Sequence, residues 1–424
     1  MGDKMNIWLI QRSEITPIDY GENRLMRTGL IADIMQRQGH KVKFWTSDFN
    51  HFQHKHRFKG SKLVRVNNNY FIQFIKSIGY EKNFSLRRYL DDIFVAREFF
   101  KIAHNSELPD IILVSMPSIE LASKVTNFAK QRNIPVYVEI RDLWPDIFID
   151  VAPIFLRPFL SVVNLYLNYK LKKCLLEANG VIGITESYLR WALKKINKRR
   201  TINDEVFHMS YLKSSKQANL SKKYIKDCIE RKFSFLLEDK IVFVFIGTLG
   251  KTNDIETVLN AAKKISTKNF PNIFVIAGKG ENYSVLRKKY VKQKNIKFVG
   301  WLDRDEIKVL LSKSDVGILP YIDADNYKLN IPNKPSEYLS EGLYLALSLN
   351  EGEMYNLINK NNIGFSYSNN EKILIKKLKD LIKNKHKIKE NRKLSFKLFN
   401  NYFDANKTYS DLAFFLTERI NKNG

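Results

Sequence analysis

The chain predicts an α/β fold of two open parallel sheets, and three features of its 424 residues carry that prediction. Apolar runs that feed glycine-containing turns and then amphipathic helices recur between Ile241 and Ser348. The same alternation fills Met5 to Thr185, and a Lys-, Ser- and Asn-rich stretch of weak periodicity, Thr201 to Asp239, separates the two. Strands alternating with helices build parallel sheets, which bind ligands at the carboxyl ends of their strands. The length fits two domains of roughly 200 residues each.

In the first half, MNIWLI (Met5 to Ile10) reads as a buried strand. A helix is expected from about Arg24 to Gln38, ended by Gly39 where a left-handed residue is favoured, and HKVKFWTS is the second strand. No GxGxxG follows the first strand, so a dinucleotide cofactor is not supported. His51, His54 and His56 sit in a Lys/Arg-rich loop without a Cys or acidic partner, which favours a solvated or anion-facing loop over a metal site. Tyr70 to His104 is aromatic, basic and helical in period, with Phe71, Phe74, Ile75, Leu90, Phe94 and Phe99 interleaved with Lys76, Arg87, Arg88 and Lys101. Such a face packs in a core or docks on lipid. DIILVSMPS is the next strand, and VYVEIRDLWPD ends another in the polar pair Arg141 and Asp142, at the sheet edge where ligands bind. Ile147 to Leu176 is a second lipid candidate, with Phe148, Phe155, Leu156, Val163, Tyr166 and Leu167 on an apolar stripe beside Arg157, Lys170, Lys172 and Lys173. VIGIT (Val181 to Thr185) reads as the last strand of this half.

The second half opens with IVFVFIGTLGKTNDIETVLNAAKKI and continues through NIFVIAGKGENYSVLRKKY, IKFVGW and DVGILPY. NIPNKPSEYLSEGLYLALS then enters a short helix bearing Glu337 and Glu341. A basic helix from Lys372 to about Lys387 and a helical stretch from Leu394 to Ile420 close the sequence.

A formal charge of +27 points to an anionic partner: nucleic acid, an acidic membrane surface or a phosphorylated substrate. The two cysteines, Cys174 and Cys228, have no metal-ligand spacing and are expected to be reduced thiols in a cytosolic protein. No secretory signal or run of about 20 apolar residues is visible, so a membrane would be met from the side.

Five segments in order carry a resemblance: EITPIDYGENRLMRTGLIADIMQRQGHKV, VEIRDLWPD, FIGTLGKTNDIETVLNAA, FVIAGKGENYSVLRK with IKFVGW, and NKPSEYLSEG. Over nearly its whole length the chain resembles the retaining family four of nucleotide-sugar glycosyltransferases, in the branch that builds bacterial surface polysaccharide and lipid-linked oligosaccharide. The resemblance implies the GT-B fold, two Rossmann-like domains facing across a cleft. The division then expected is residues 1–206 for acceptor and membrane, 207–404 for the nucleotide-sugar, and 405–424 as a helix packing back on the N-terminal domain. It also implies a UDP-sugar donor carrying an N-acetylated hexosamine or deoxyhexosamine, and a polyprenyl-diphosphate-linked saccharide as acceptor. The setting would be capsule or O-antigen synthesis, on the inner face of the cell membrane, with no metal or other cofactor and no nucleic acid.

By the same resemblance Glu337 would bind the nucleotide ribose, since an ionised carboxylate accepts from two adjacent hydroxyls. The family's second Glu would fall on Leu329, leaving Asn330 and Asn333 as the nearby polar groups. Lys251 and Lys334 would answer the diphosphate, with Gly247, Gly278 and Gly280 letting the backbone approach it, and Thr248 and Lys279 complete the donor-side candidates. Arg141 and Asp142 stand where the family often has a His near the transferred sugar, and Glu14 completes the catalytic candidates. Gly21, Arg24 and Arg27 are the acceptor-side candidates. Two alternatives stand beside this: a UDP-sugar 2-epimerase on the same fold, and a basic nucleic-acid-binding protein.

Overall fold

Ile7, Trp8, Leu9 and Ile10 are fully buried, as a strand covered on both faces requires. They form the centre of the first of two units in the computed structural model, which describes residues 4–19, 25–82, 85–147, 157–213, 220–237, 240–265 and 271–421. One unit comprises Met1–His208 and Thr408–Gly424, the other Met209–Lys407.

The first unit holds β1 (Asn6–Ile10), β2 (Lys41–Ser47), β3 (Phe49–Asn50), β4 (Lys55–His56), β5 (Lys62–Arg65), β6 (Tyr70–Ile75), β7 (Ile111–Ser115), β8 (Val136–Ile140), β9 (Gly180–Gly183) and β10 (Glu205–Val206). Eight of them make one sheet in the order β10-β9-β8-β7-β1-β2-β6-β5. Every pair is parallel except β5 with β6. The chain leaves β1 towards β2 on one side and returns to β7 on the other, so a ligand crevice is expected outside β1 and β7. An aromatic cluster locks helices Leu86–His104 and Ile119–Gln131 to the sheet: Trp8 lies 4.6 Å from Trp45 and 5.8 Å from Phe128, and Trp45 5.1 Å from Phe99.

Three expectations change here. Tyr70 to Ile75 is a strand rather than the start of a helix, because a short run that is apolar except for Gln73 fits both periods and pairing with β2 and β5 decides it. Phe74, Ile75 and Phe99 are core, which removes most of the first lipid candidate, although Leu86, Leu90 and Ile78 are exposed. β10 follows β9, so VIGIT is not the last strand. In the second lipid candidate, helix Arg157–Glu177, Leu167 is buried and Val162, Leu165, Tyr166 and Tyr169 are exposed. Phe148, Phe155 and Leu156 lie outside the described residues. No helix among the described residues is long and apolar enough to cross a membrane.

The second unit is built on β11 (Ile241–Ile246), β12 (Asn272–Ala277), β13 (Ile296–Gly300), β14 (Val316–Leu319), β15 (Tyr344–Leu347) and β16 (Gly364–Ser366). They run in the order β13-β12-β11-β14-β15-β16, all parallel. Here the order reverses between β11 and β14. Phe243 stacks on Phe274 at 4.6 Å on one face of this sheet.

The C-terminal stretch divides into helices Glu371–Lys383, Lys385–Tyr402 and Ala405–Asn421 instead of two long ones. The break after Tyr402 comes from capping: Tyr211 exchanges backbone hydrogen bonds with Phe403 and Ala405 at 2.9 and 3.1 Å. Asp404 then accepts from the Asn406 N–H at 2.8 Å, as a helix-starting residue does. From Thr408 onward the last helix belongs to the first unit. Phe415 packs on Tyr137 and Phe207, and the Tyr409 ring lies 5.0 Å under the Arg27 guanidinium.

Candidate active site

In the first unit the residues after β1 and β8 meet a helix start, and their charges are spent on one another. Glu139, fully buried on β8, accepts from Arg27 Nε at 2.8 Å and Ser115 Oγ at 2.7 Å and pairs with Arg141 Nε. Glu14 accepts from the Thr28 N–H and hydroxyl, both at 2.9 Å, and pairs with Arg141. Arg27 also donates to the His208 carbonyl at 2.6 Å. Burial would raise the Glu139 carboxyl, but the opposing pull of Arg141 and Arg27, with the Ser115 hydrogen bond, holds it down at about 2. Burial works against the Arg141 charge as well; Glu139 and Glu14 outweigh it and raise its pKa.

This places three sequence-predicted residues, Glu14, Arg27 and Arg141, in a buried network rather than on a ligand-facing surface. The physical reason is that each carboxylate is already saturated by cations and hydroxyls. Gly21 and Arg24 lie outside the described residues. Asp142 differs from its neighbour: it is half-buried, and burial raises its carboxyl above the usual range against the Leu143 N–H and Arg88, which lower it.

A second buried network was not legible beforehand. Arg12, just after β1, pairs with Asp91 and, at 2.8 Å, with Asp92, both from helix Leu86–His104. Asp91 also accepts from Ser77 Oγ and the Ile78 N–H, each at 2.7 Å. Tyr80 joins Arg12 to His51, whose Nδ1 lies 2.7 Å from its hydroxyl. Burial, and then the Arg88 and Arg12 charges, push the His51 imidazole down to about 4. In the sequence Asp91 and Asp92 stand among both basic and apolar residues, and nothing there ties them to Arg12.

The second unit is arranged differently. The loops after β11 and β12 zip together: Gly247 N–H donates to Ala277 at 3.0 Å, and Leu249 N–H to Lys279 at 2.9 Å. A Cβ on Gly278 (φ +131°) would stand 1.9 Å from the Gly247 carbonyl oxygen, and one on Gly280 (φ +154°) 2.4 Å from that of Leu249. These two glycines therefore serve loop-to-loop packing first. Thr248, Lys251 and Lys279 are left exposed on the resulting ledge, and neither lysine makes an ion pair among the described residues.

Across the crevice, Tyr338 fixes helix Asn333–Ser340. It is fully buried, accepts from the Ile246 N–H at 3.0 Å, and fills the space where a Gly317 side chain would be. Its neighbour Glu337 is thereby held at 7% exposure, with Lys334 Nζ 3.0 Å from Oε2. That helix begins at Asn333 with no side-chain cap and no acidic residue in its first turn. On the segment leading into it, the Asn330 Oδ1 and Tyr321 hydroxyl are buried without a hydrogen-bond partner. Orphaned buried polar atoms are rare and need a partner. No group of three His, Cys, Asp or Glu placed to hold a metal occurs among the described residues.

Residues 228–395, which contain every donor-side candidate from Gly247 to Glu337, match the family model described as glycosyl transferases group 1. The chain is a glycosyltransferase.

No curated protein matches its sequence. Among solved structures, sucrose-phosphate synthase from Thermosynechococcus elongatus superposes with a TM-score of 0.70 at 13% identity, covering 99% of this chain and 100% of that one. HepE of Anabaena in complex with UDP gives 0.66 at 11% identity, covering 97% and 99%. WaaG, a glycosyltransferase involved in lipopolysaccharide biosynthesis, gives 0.64 at 11%, covering 97% and 99%. Likeness at these identities is likeness of fold: this glycosyltransferase has the GT-B architecture of two Rossmann-like domains. The catalytic and acceptor candidates of its first unit lie outside the matched residues.

Proposed function

We propose that this glycosyltransferase moves a sugar, with retention, from a UDP-sugar to a polyprenyl-diphosphate-linked saccharide in the synthesis of a surface polysaccharide such as capsule or O-antigen. It would work on the inner face of the cell membrane. The observation that carries the donor half is Glu337: a buried carboxylate beside Lys334, on an uncapped helix, next to two buried polar atoms that lack partners. A ribose diol donating to Glu337, and sugar or base hydroxyl and amide groups reaching Asn330 and Tyr321, would satisfy all three. HepE, of the same fold, was solved with UDP, which supports that base.

In the transfer, the acceptor oxygen bonds to the anomeric carbon as the bond to the diphosphate breaks. The acceptor proton leaves for the departing phosphate oxygen. Lys251, Lys279 and Lys334, with the backbone N–H groups of Asn333 and Lys334 at the helix start, meet the charge that grows on the diphosphate. The diphosphate is answered by lysines, so the proposal needs no metal ion. Asp142, rather than Glu14 or Arg141, is the first-unit group we assign to the acceptor. The excess of cations and the exposed apolar residues of helix Arg157–Glu177 support an anionic membrane as the place where the acceptor is met.

Titration calorimetry with UDP tests the donor half. Glu337→Ala is expected to weaken binding about 10- to 100-fold, the loss of charge-assisted hydrogen bonds, without lowering the melting temperature. Equal affinity for UDP would remove Glu337 from the site. Incubating the enzyme with a UDP-sugar and no acceptor tests the reaction class, since an epimerised sugar as product would replace transfer.

A further inference from the structure

Outside the sites above, the first unit carries a depression of about 630 Å3 between helices Arg157–Glu177 and Glu186–Lys195. Its walls include Lys172, Lys194, Lys195, Trp191, Asn164 and Asp146. Asp146 is the one acidic group among the lining residues, and it is committed: it accepts from the Trp191 indole N–H at 2.9 Å and from Lys195 Nζ at 2.7 Å. Lys172 and Lys194 make no ion pair among the described residues, so two cations face the depression uncompensated. The Asn164 Oδ1 in the wall is buried and has no hydrogen-bond partner; turned the other way, that amide would present two donors.

The surroundings narrow the ligand. Asn164, Leu165 and Lys172 follow one stripe of helix Arg157–Glu177, and Leu165 belongs also to the adjoining exposed stripe of Val162, Tyr166 and Tyr169. Leu165 is 73% exposed, Val162 69% and Tyr169 66%. A cationic hollow opening beside apolar and tyrosyl side chains matches the boundary of a membrane, where phosphates sit directly above acyl chains.

We propose that this depression is a binding site for the headgroup phosphate of an anionic membrane phospholipid. Lys172 and Lys194 contact the phosphate, Trp191 is held by Asp146 as the floor, and Val162, Leu165 and Tyr169 enter the acyl boundary. The assignment rests on the membrane location in the function proposed above, and gives it an address separate from the donor site.

The test is co-sedimentation of the full chain with phosphatidylcholine vesicles, with and without phosphatidylglycerol, alongside UDP calorimetry on the same samples. Lys172→Gln with Lys194→Gln is expected to weaken binding to the anionic vesicles about 30-fold while UDP affinity is unchanged. Lys376→Gln with Lys377→Gln removes the same charge from a helix of the other unit and is expected to change vesicle binding less than threefold, a margin of about 1 kcal/mol per charge apart. Equal losses in the two double variants would overturn the site, leaving only diffuse attraction. Displacement from the anionic vesicles by millimolar glycerol phosphate that is as strong for the Lys172→Gln, Lys194→Gln variant as for the parent would also overturn it, because the headgroup would then be read elsewhere. Failure of the chain to bind UDP, with vesicle binding lost only in the first double variant, would sink the donor assignment and leave this one standing.

Discussion

The two sheets place charge at their ligand-facing edges in opposite ways. In the first unit Glu14, Glu139, Arg27 and Arg141, and again Arg12, Asp91 and Asp92, neutralise one another in the interior. In the second, Lys251 and Lys279 make no ion pair among the described residues, Glu337 pairs with Lys334, and the Asn330 Oδ1 and Tyr321 hydroxyl are buried without a hydrogen-bond partner. A closed set of ion pairs holds loops in place, whereas exposed lysines beside a buried carboxylate are, on the function proposed above, left for a ligand. Identical residue types are thus scaffold in one half and proposed recognition groups in the other.

Breaking the scaffold should give the largest effect. Arg27→Met strips a partner from the buried Glu139 and is expected to cost about 3–5 kcal/mol of first-unit stability. Denaturant unfolding followed by tryptophan fluorescence reads this, since Trp8, Trp45, Trp144 and Trp191 all report on that unit. A change below 1 kcal/mol would mean the network is not closed as described. Acid should act on the same unit. With its pKa lowered from 4.5 to about 2 in the fold, Glu139 contributes stability that is complete above 4.5 and is lost as pH falls towards 2. His51, lowered from 6.5 to about 4, begins the decline sooner, because the unfolded chain protonates it first. Urea midpoints measured from pH 7 to pH 3 should therefore fall, with the steeper part below 4.5; a flat profile would contradict the assignment. The smallest effect sharpens the other half of the comparison. Lys251→Ala with Lys279→Ala should leave stability unchanged and weaken UDP binding by about 1–2 kcal/mol at low salt, with the difference shrinking as salt rises. A salt-independent loss would mean the two lysines act through the loop's structure.

Much of this was readable from residue order. Continuous apolar runs gave the parallel strands, because strands buried on both faces leave no alternation to obscure them. The short helix that carries Glu337 was readable from NKPSEYLSEG. The true work of Gly278 and Gly280 was not: only the approach of the Gly247 and Leu249 carbonyls shows that loop packing demands them. Likewise Arg141, polar and at a strand end, looked like a group for substrate. Its saturation by Glu14 and Glu139 depends on partners 127 and 2 residues away, which periodicity does not reveal. Tyr70 to Ile75 failed for another reason, since a run that short satisfies both helical and strand periods until a neighbour pairs with it.

Hydrogen–deuterium exchange of the full chain with and without UDP tests the contrast between the two edges most directly. The account predicts protection at Gly247–Lys251, Gly278–Gly280 and Asn330–Glu337, and none at Arg12–Glu14 or Glu139–Arg141. Protection confined to the first-unit segments, with the second unit unchanged, would contradict it.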